Sequence, residues 1–260
     1  MIGDANITGF SFSRLTLQGT VDLVSQWAVD GNVSGKCLAI VNPHSVETAH
    51  RDPEFAAAIR AADLVTPDGA GIVLASRILK EGIPERVNGP DLFEALCCRL
   101  NEQNAGTRMF FLGSTPGNLK AIAEKFRTDF PNLGIAGAYS PPYKPQFSDG
   151  DLTQMIEIIN QSNADILWVG LGAPKQEKWA QACRDRLNVK VIAPVGGVFD
   201  FYTGRVKLPP KWVQKMGLIF LYRFFQEPKR LWRRNLDSPV FLCRVLRQRF
   251  KRPEGTRSKR

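Results

Sequence analysis

Short apolar runs rich in Val, Ile and Phe recur along the first two hundred positions, at Leu38–Val41, Leu64–Thr66, Met109–Leu112, Ile135–Ala138, Ile166–Val169 and Val189–Val195. Between them the apolar positions take helical spacing, over Val21–Val29, Pro53–Ala62, Ala70–Leu79, Leu92–Leu100, Leu119–Phe130, Leu152–Ile159 and Gln176–Leu187. A continuous apolar run bounded by turn residues is the mark of a strand buried on both faces, and a 3.6-residue period is that of a helix covering it. Strand and helix alternating at this interval predict an α/β fold, a Rossmann-like, mostly parallel sheet with helices on both faces. In such a sheet ligands sit outside the carboxyl ends of the strands. The residues that follow each run are therefore the informative ones: Asn42-Pro43, Pro67-Asp68-Gly69, Gly113-Ser114, Gly170-Leu171-Gly172 and Gly196-Gly197.

Beyond residue 204 the pattern changes. The run GLIFLYRFF (Gly217–Phe225) carries one charge, and in Pro239–Phe250 the apolar residues Phe241, Leu242, Val245 and Leu246 recur at i, i+1, i+4 and i+5 with Arg244 and Arg247 off the stripe. That spacing predicts a basic amphipathic helix suited to lying in a lipid interface. The competing reading is a C-terminal helix that packs its stripe on the body with its bases in water. Charge sharpens the division. Residues 205–260 hold 17 Lys/Arg against three acids, whereas residues 1–204 hold 18 against 22. So strong an asymmetry points to an anionic partner, a membrane surface or a nucleic acid. The chain accordingly divides into a catalytic-type body, 1–204, and a basic helical membrane-associating appendage, 205–260.

At 260 residues and 43% hydrophobic, the chain is long enough to bury a sizeable core. No stretch reaches the ~18 uninterrupted apolar residues that a spanning helix needs, and the opening MIGDANITGFSFSRL lacks a basic start and an apolar signal core. The expectation is a cytoplasmic protein, peripherally bound to the inner face of the membrane. Five cysteines, at 37, 97, 98, 183 and 243, show no regular spacing and read as buried, reduced thiols. Two histidines, without Cys or His at ligand spacing, argue against structural zinc.

Glycine after a strand lets a ligand approach the backbone, and the next helix N-terminus offers unpaired N–H groups to a phosphate. Nucleotide binding is the expectation, although no turn completes GxGxxG or a Walker A pattern, and glycine turns are also an ordinary way to leave a strand. More specific are three blocks: Thr66-Pro-Asp-Gly-Ala-Gly-Ile72 with Pro84-Glu-Arg-Val-Asn-Gly-Pro-Asp91; Gly170-Leu-Gly-Ala-Pro-Lys-Gln-Glu177; and Gly196-Gly-Val-Phe-Asp-Phe-Tyr-Thr-Gly204, followed by Pro209-Pro-Lys-Trp212 and Gln226-Glu-Pro-Lys-Arg-Leu231. In this order, from about Leu38 to Arg234, the chain resembles the WecG/TagA/CpsF family of bacterial glycosyltransferases. The resemblance implies transfer of a sugar from a UDP-sugar donor to a saccharide carried on undecaprenyl diphosphate during surface polysaccharide assembly, with no cofactor and no metal.

Such a transfer needs a base for the acceptor hydroxyl, and a carboxylate within hydrogen-bond reach suffices. Asp68, between Pro67 and Gly69 at a strand end, is the candidate and matches the family's proposed base; the competing reading is that it caps the helix starting near Ala70. The charge of departing UDP requires fixed donors or a metal. The one Asp-x-Asp, Asp149-Gly150-Asp151, follows a Pro-rich loop and reads as a helix cap. Donors then come from Arg86 and from the turns at Gly113, Gly172 and Gly197. Asn42 and Gln176 are strand-end amides that match polar pocket positions of the family, with turn and cap duty as the alternative. Ile40 departs from the threonine the family often has there. Asp200 matches a family acid near the nucleotide, or it pairs with a tail arginine. In the appendage, Arg223, Arg230 and Arg233 match arginines that the family is thought to place over the active site, where their forks suit a lipid-linked diphosphate. Arg205, Lys207, Lys211, Lys215, Arg234 and the cluster from Lys251 to Arg260 read as attraction to anionic lipid.

The leading expectation is an inverting, metal-independent glycosyltransferase, with homo-oligomerisation left open. The alternative is a nucleotide-binding α/β protein with a nucleic-acid-binding tail. Against it, the tail's aromatics merge with Leu, Ile and Val into contiguous apolar stretches. A dinucleotide oxidoreductase is disfavoured by the lack of GxGxxG.

Overall fold

The computed structural model describes residues 4–207 and 228–251, with side chains described for 4–207 and 237–251. A small antiparallel hairpin opens it, β1 (Ala5–Ile7) and β2 (Phe10–Phe12). Its two turn residues, Thr8 and Gly9, both have positive φ, the conformation that matches the twist of a tight hairpin. Then come α1 (Leu17–Val29), β3 (Lys36–Val41), α2 (Pro43–Arg51), α3 (Pro53–Ala61), β4 (Leu64–Pro67), α4 (Ala70–Leu79), α5 (Gly89–Gln103), β5 (Arg108–Gly113), α6 (Pro116–Asp129) and β6 (Gly134–Tyr139). The body closes with α7 (Asp149–Ser162), β7 (Ile166–Gly170), α8 (Lys175–Cys183), β8 (Val191–Pro194) and α9 (Val198–Tyr202); α10 (Pro228–Lys251) follows.

Strands β3 to β8 form one parallel sheet in the order β4-β3-β8-β7-β5-β6. Alternate side chains feed opposite faces. Leu38, Met109, Phe111, Ile166, Trp168, Val191 and Ala193 pack with α1, α5, α6 and α9. Phe110, Leu112, Leu167, Val169 and Ile192 pack with α7 and α8, while Ala39, Val41 and Val65 pack with the hairpin, α2, α3, α4 and α10. The expected architecture, a parallel sheet covered on both faces, is the one observed. Helix starts follow capping chemistry. Thr16, Asn42, Asp52, Asn88, Thr115 and Ser148 each accept a first-turn N–H, and prolines occupy the opening positions of α2, α3, α5 and α6.

Four elements differ from expectation. The hairpin and α9 are too short for periodicity to mark. Helix α2 was not expected because its sequence, PHSVETAHR, carries only Val46 and Ala49 as apolar positions for the core. Helix α8 stops at Cys183, and the remaining turn is a 3-10 segment, Arg184–Arg186. The thiols also differ: Cys37, Cys97 and Cys183 are buried, but Cys98 and Cys243 are exposed, since adjacent helix positions point about 100° apart.

The amphipathic segment at Pro239–Phe250 lies within α10, which starts earlier and runs through Pro239. Its stripe splits. Phe241 and Val245 are buried in the core shared with α2 and α4, whereas Leu242 and Leu246 are each 39% exposed. No helix among the described residues is long and apolar enough to cross a membrane.

Candidate active site

The carboxyl end of β3 delivers Asn42, which caps α2: its Oδ1 accepts from the Ser45 N–H at 3.0 Å and from the Ser45 hydroxyl at 3.2 Å. That fixes the amide flip, so Nδ2 faces the next strand end and donates to Asp68 Oδ2 at 3.4 Å. Asp68 is held by its own N–H, which donates to the Val41 carbonyl at 2.9 Å. The N-cap of α4 is Gly69, with φ of 88°, so Asp68 stands one residue ahead of the cap position. The two helix starts abut: a Cβ on Gly71 would stand 2.6 Å from Pro43 Cγ. Half-buried Arg86 is carried beside the same edge, because the N–H of Val87 donates to the Pro67 carbonyl at 2.8 Å. Its guanidinium lies 4.0 Å from Asp91 Oδ2.

On the other side of β3, the adjoining strands β8 and β7 contribute a second cluster. Gly172 has φ of 80° and nothing within 4 Å of where a Cβ would sit, leaving its backbone open to a ligand. Buried Gln176 spans this loop, with Oε1 accepting from the Gly172 N–H at 3.1 Å and Nε2 donating to Glu177 Oε1 at 2.9 Å. Its amide also lies about 3.6 Å from where a Cβ on Gly196 would sit. Gly197 is the N-cap of α9. Gly113 has a different role from the one its position suggests. A Cβ there would meet the Gly170 carbonyl oxygen at 2.5 Å, so the residue allows two neighbouring strand ends to close up.

The third cluster joins α6 to α9. Asn118, buried in the first turn of α6, donates from Nδ2 to Ser114 Oγ at 2.9 Å and to Asp200 Oδ1 at 3.2 Å, and accepts from the Thr203 hydroxyl at 2.7 Å. Arg205 reaches the same Asp200 oxygen at 3.3 Å, so the pairing with a basic residue after the body is present. Sequence reading missed Asn118, whose only signal is a polar residue in a capped first turn.

All three clusters lie on one edge of the sheet, and comparison with known proteins identifies what such an edge belongs to. The sequence profile described as the glycosyl transferase WecG/TagA/CpsF family matches residues 5–255. The chain belongs to this family. It is similar to an N-acetylglucosaminyldiphosphoundecaprenol N-acetyl-beta-D-mannosaminyltransferase of Bacillus subtilis (strain 168), 29% identical over 93% of this chain and 91% of that protein. A protein of the same name from Bacillus spizizenii (strain ATCC 23059 / NRRL B-14472 / W23) is 31% identical, over 82% and 79% respectively. As a WecG/TagA/CpsF member the chain is a glycosyltransferase.

Of the appendage arginines expected over the site, Arg223 lies outside the described residues, and Arg230 and Arg233 lie in α10 with side chains outside them. Asp149-Gly150-Asp151 forms the first turn of α7, where Ser148 and Asp151 make a reciprocal capping box. The Asp151 carboxylate also accepts from Lys144, which with the Ser148 N–H holds its pKa down at about 2. Among the described residues no cluster of His, Cys, Asp and Glu is grouped to hold a metal.

The glycosyltransferase edge also contains a buried acid, Glu177. Burial pushes its carboxyl up to about 7, and its Oε2 has no hydrogen-bond partner among the described residues. A carboxyl whose folded pKa is raised stabilises the fold fully below its unfolded value, near 4.5, and loses that contribution as pH rises through 7. Glu177→Gln keeps an acceptor for Gln176 and removes the titration. Chemical denaturation between pH 4.5 and 8 is expected to show wild type losing stability relative to the variant as pH rises; parallel curves would refute the assignment.

Proposed function

We propose that the chain transfers a sugar from a UDP-sugar to a saccharide carried on undecaprenyl diphosphate, with inversion and without a divalent ion, in the assembly of a bacterial surface polysaccharide. The observation that carries this reading is Asp68, an acid at the sheet's carboxyl edge, one residue ahead of the α4 N-cap, that accepts from Asn42. The names of the two Bacillus relatives support the acceptor class and make N-acetylmannosamine the first donor sugar to try, ahead of its uronic acid and glucose.

In this mechanism Asp68 takes the proton of the acceptor hydroxyl as its oxygen attacks the anomeric carbon. The bond from that carbon to the β-phosphate oxygen breaks on the opposite face, and its electron pair leaves with UDP. Arg86 and the α9 start at Gly197 supply fixed donors to the leaving charge, while Gly172, whose N–H is taken by Gln176, leaves room for the diphosphate to approach. Gln176 shapes the loop that presents Gly172, and Asn118 and Arg205 steady Asp200, the acid that meets the nucleotide in this reading. Arg223, Arg230 and Arg233 bring the acceptor diphosphate its counter-charge. The capping duty of Asp151, with Asp149 beside it in the first turn of α7, supports a metal-independent route.

Asp68→Asn is expected to lower kcat by roughly a hundredfold or more while UDP affinity and melting temperature stay near wild type. Turnover at the wild-type rate in that variant sinks the base assignment.

The outward face of α10 suits a bilayer. Leu242 and Leu246 are exposed, Phe250 is 83% exposed, and Arg249 and Lys251 flank them. The further bases of residues 205–260 add attraction worth about 1 kcal/mol each near an anionic surface. Changing Leu242 and Leu246 together to Ser is expected to reduce sedimentation with anionic liposomes without lowering stability, because neither side chain belongs to the core. Undiminished sedimentation would place the anchor elsewhere.

A further inference from the structure

Helix α10 carries a single acid among its 24 residues, and that acid is turned inward. Asp237 accepts from both Arg51 guanidinium nitrogens, at 2.9 and 3.1 Å, and pairs with His44 Nδ1 at 2.5 Å. Two turns on, Arg244 makes a matching fork on buried Glu47, at 2.9 and 3.0 Å. His44, Glu47 and Arg51 all belong to α2. Phe241, between the two forks, and Val245, just past the second, enter the core that α2 shares with α4, beside Val46, Ala49, Ile72 and Ala75. Gln248 then ties the end of α10 to the hairpin, through the Thr8 N–H and the Asn6 carbonyl.

The two helices held in this way are the ones whose first turns border the candidate catalytic pair. Asn42 caps α2, Asp68 stands two residues before α4, and the helix starts touch at Pro43 and Gly71. The Asn42 to Asp68 contact, at 3.4 Å, is long for a hydrogen bond, so a small rotation of α2 breaks it. We propose that α10 is a positioning clamp, in which Asp237 and Arg244 fix the register of α2 against α4 and thereby hold Asn42 on Asp68. One face of the helix is thus committed to the body and the other to the surroundings. A lone, buried acid in so basic a helix adds nothing to attraction for an anionic surface, and its partners, Arg51 and His44, both lie on α2.

The inference rests on the proposed role of Asp68, and its test separates the two. Asp237→Asn and Arg244→Gln remove charge but keep the shape of the helix. Arg51→Gln, at a side chain 61% exposed, is the milder lesion should either destabilise the fold. Arg247→Gln, on the exposed face, is the charge-matched control. Full-length proteins are assayed without a bilayer, with saturating UDP-sugar and a short-chain polyprenyl-diphosphate saccharide, alongside UDP affinity and amide hydrogen exchange.

The clamp variants are expected to lose roughly ten- to a hundredfold in kcat with UDP affinity within about twofold of wild type. Exchange should accelerate at Ser45, Val46 and Asp68 and stay unchanged at Leu119 and Val195, with the control like wild type throughout. Unchanged exchange at Ser45, Val46 and Asp68 overturns the clamp, whatever happens to turnover. Uniformly faster exchange over the whole chain also overturns it, by showing a general loss of stability. If wild type transfers no sugar from any UDP donor, the proposed function fails, while the exchange pattern still decides whether α10 positions α2.

Discussion

Because the six strands of the sheet are all parallel, their carboxyl ends share one edge, and Asn42, Asp68, Gln176 and Asp200 all follow strands at that edge. The edge works only because backbone comes close there. Gly113 lets β5 meet β7, Gly170 admits the ring of Phe199, Gly71 receives Pro43, and Gly89 at the start of α5 lies against Val198. At each of these positions a Cβ would come within 3 Å of a neighbour. The glycines that follow the strands therefore fall into two kinds. Gly113 and Gly170 serve packing, whereas Gly172 leaves space in front of it. Position after a strand does not distinguish them; the occupancy of the missing Cβ does.

The sheet was legible because strands buried on both faces must be apolar throughout, so Met109–Leu112 and Ile166–Val169 announce themselves without alternation. Helix α2 was hidden by its chemistry. Its polar residues are the ones that pair with α10, and those pairings join positions nearly two hundred residues apart. Arg244 was set aside as off the apolar stripe, yet Glu47 draws it into the interface. Asp68 and Asn42 could be read from their places after β4 and β3. Asn118 could not, since what singles it out is a contact with Asp200, 82 residues away.

The proposed membrane role poses one physical question, which is how a helix already packed on the body keeps a face for a surface. In α10 the answer lies in splitting a wide apolar arc. Phe241 and Val245 are withdrawn into the core while Leu242 and Leu246, one position on from each, stay outside. The inward ion pairs join buried carboxylates to half-exposed arginines at close range and lose less to screening, whereas attraction between outward bases and a charged surface falls with salt. Docking of the helix and the proposed engagement of a surface are thus separable by ionic strength.

The central claim is that Asp68 receives the proton of the attacking hydroxyl. The most direct test is a crystal structure of the full chain with UDP and a short lipid-diphosphate saccharide. The account predicts the attacking hydroxyl within about 3.2 Å of an Asp68 carboxylate oxygen, with the uridine diphosphate along the edge formed by Gly172, Gly197 and Asp200. A complex in which that hydroxyl lies beyond reach of Asp68, against a different acid such as Asp200, would contradict it.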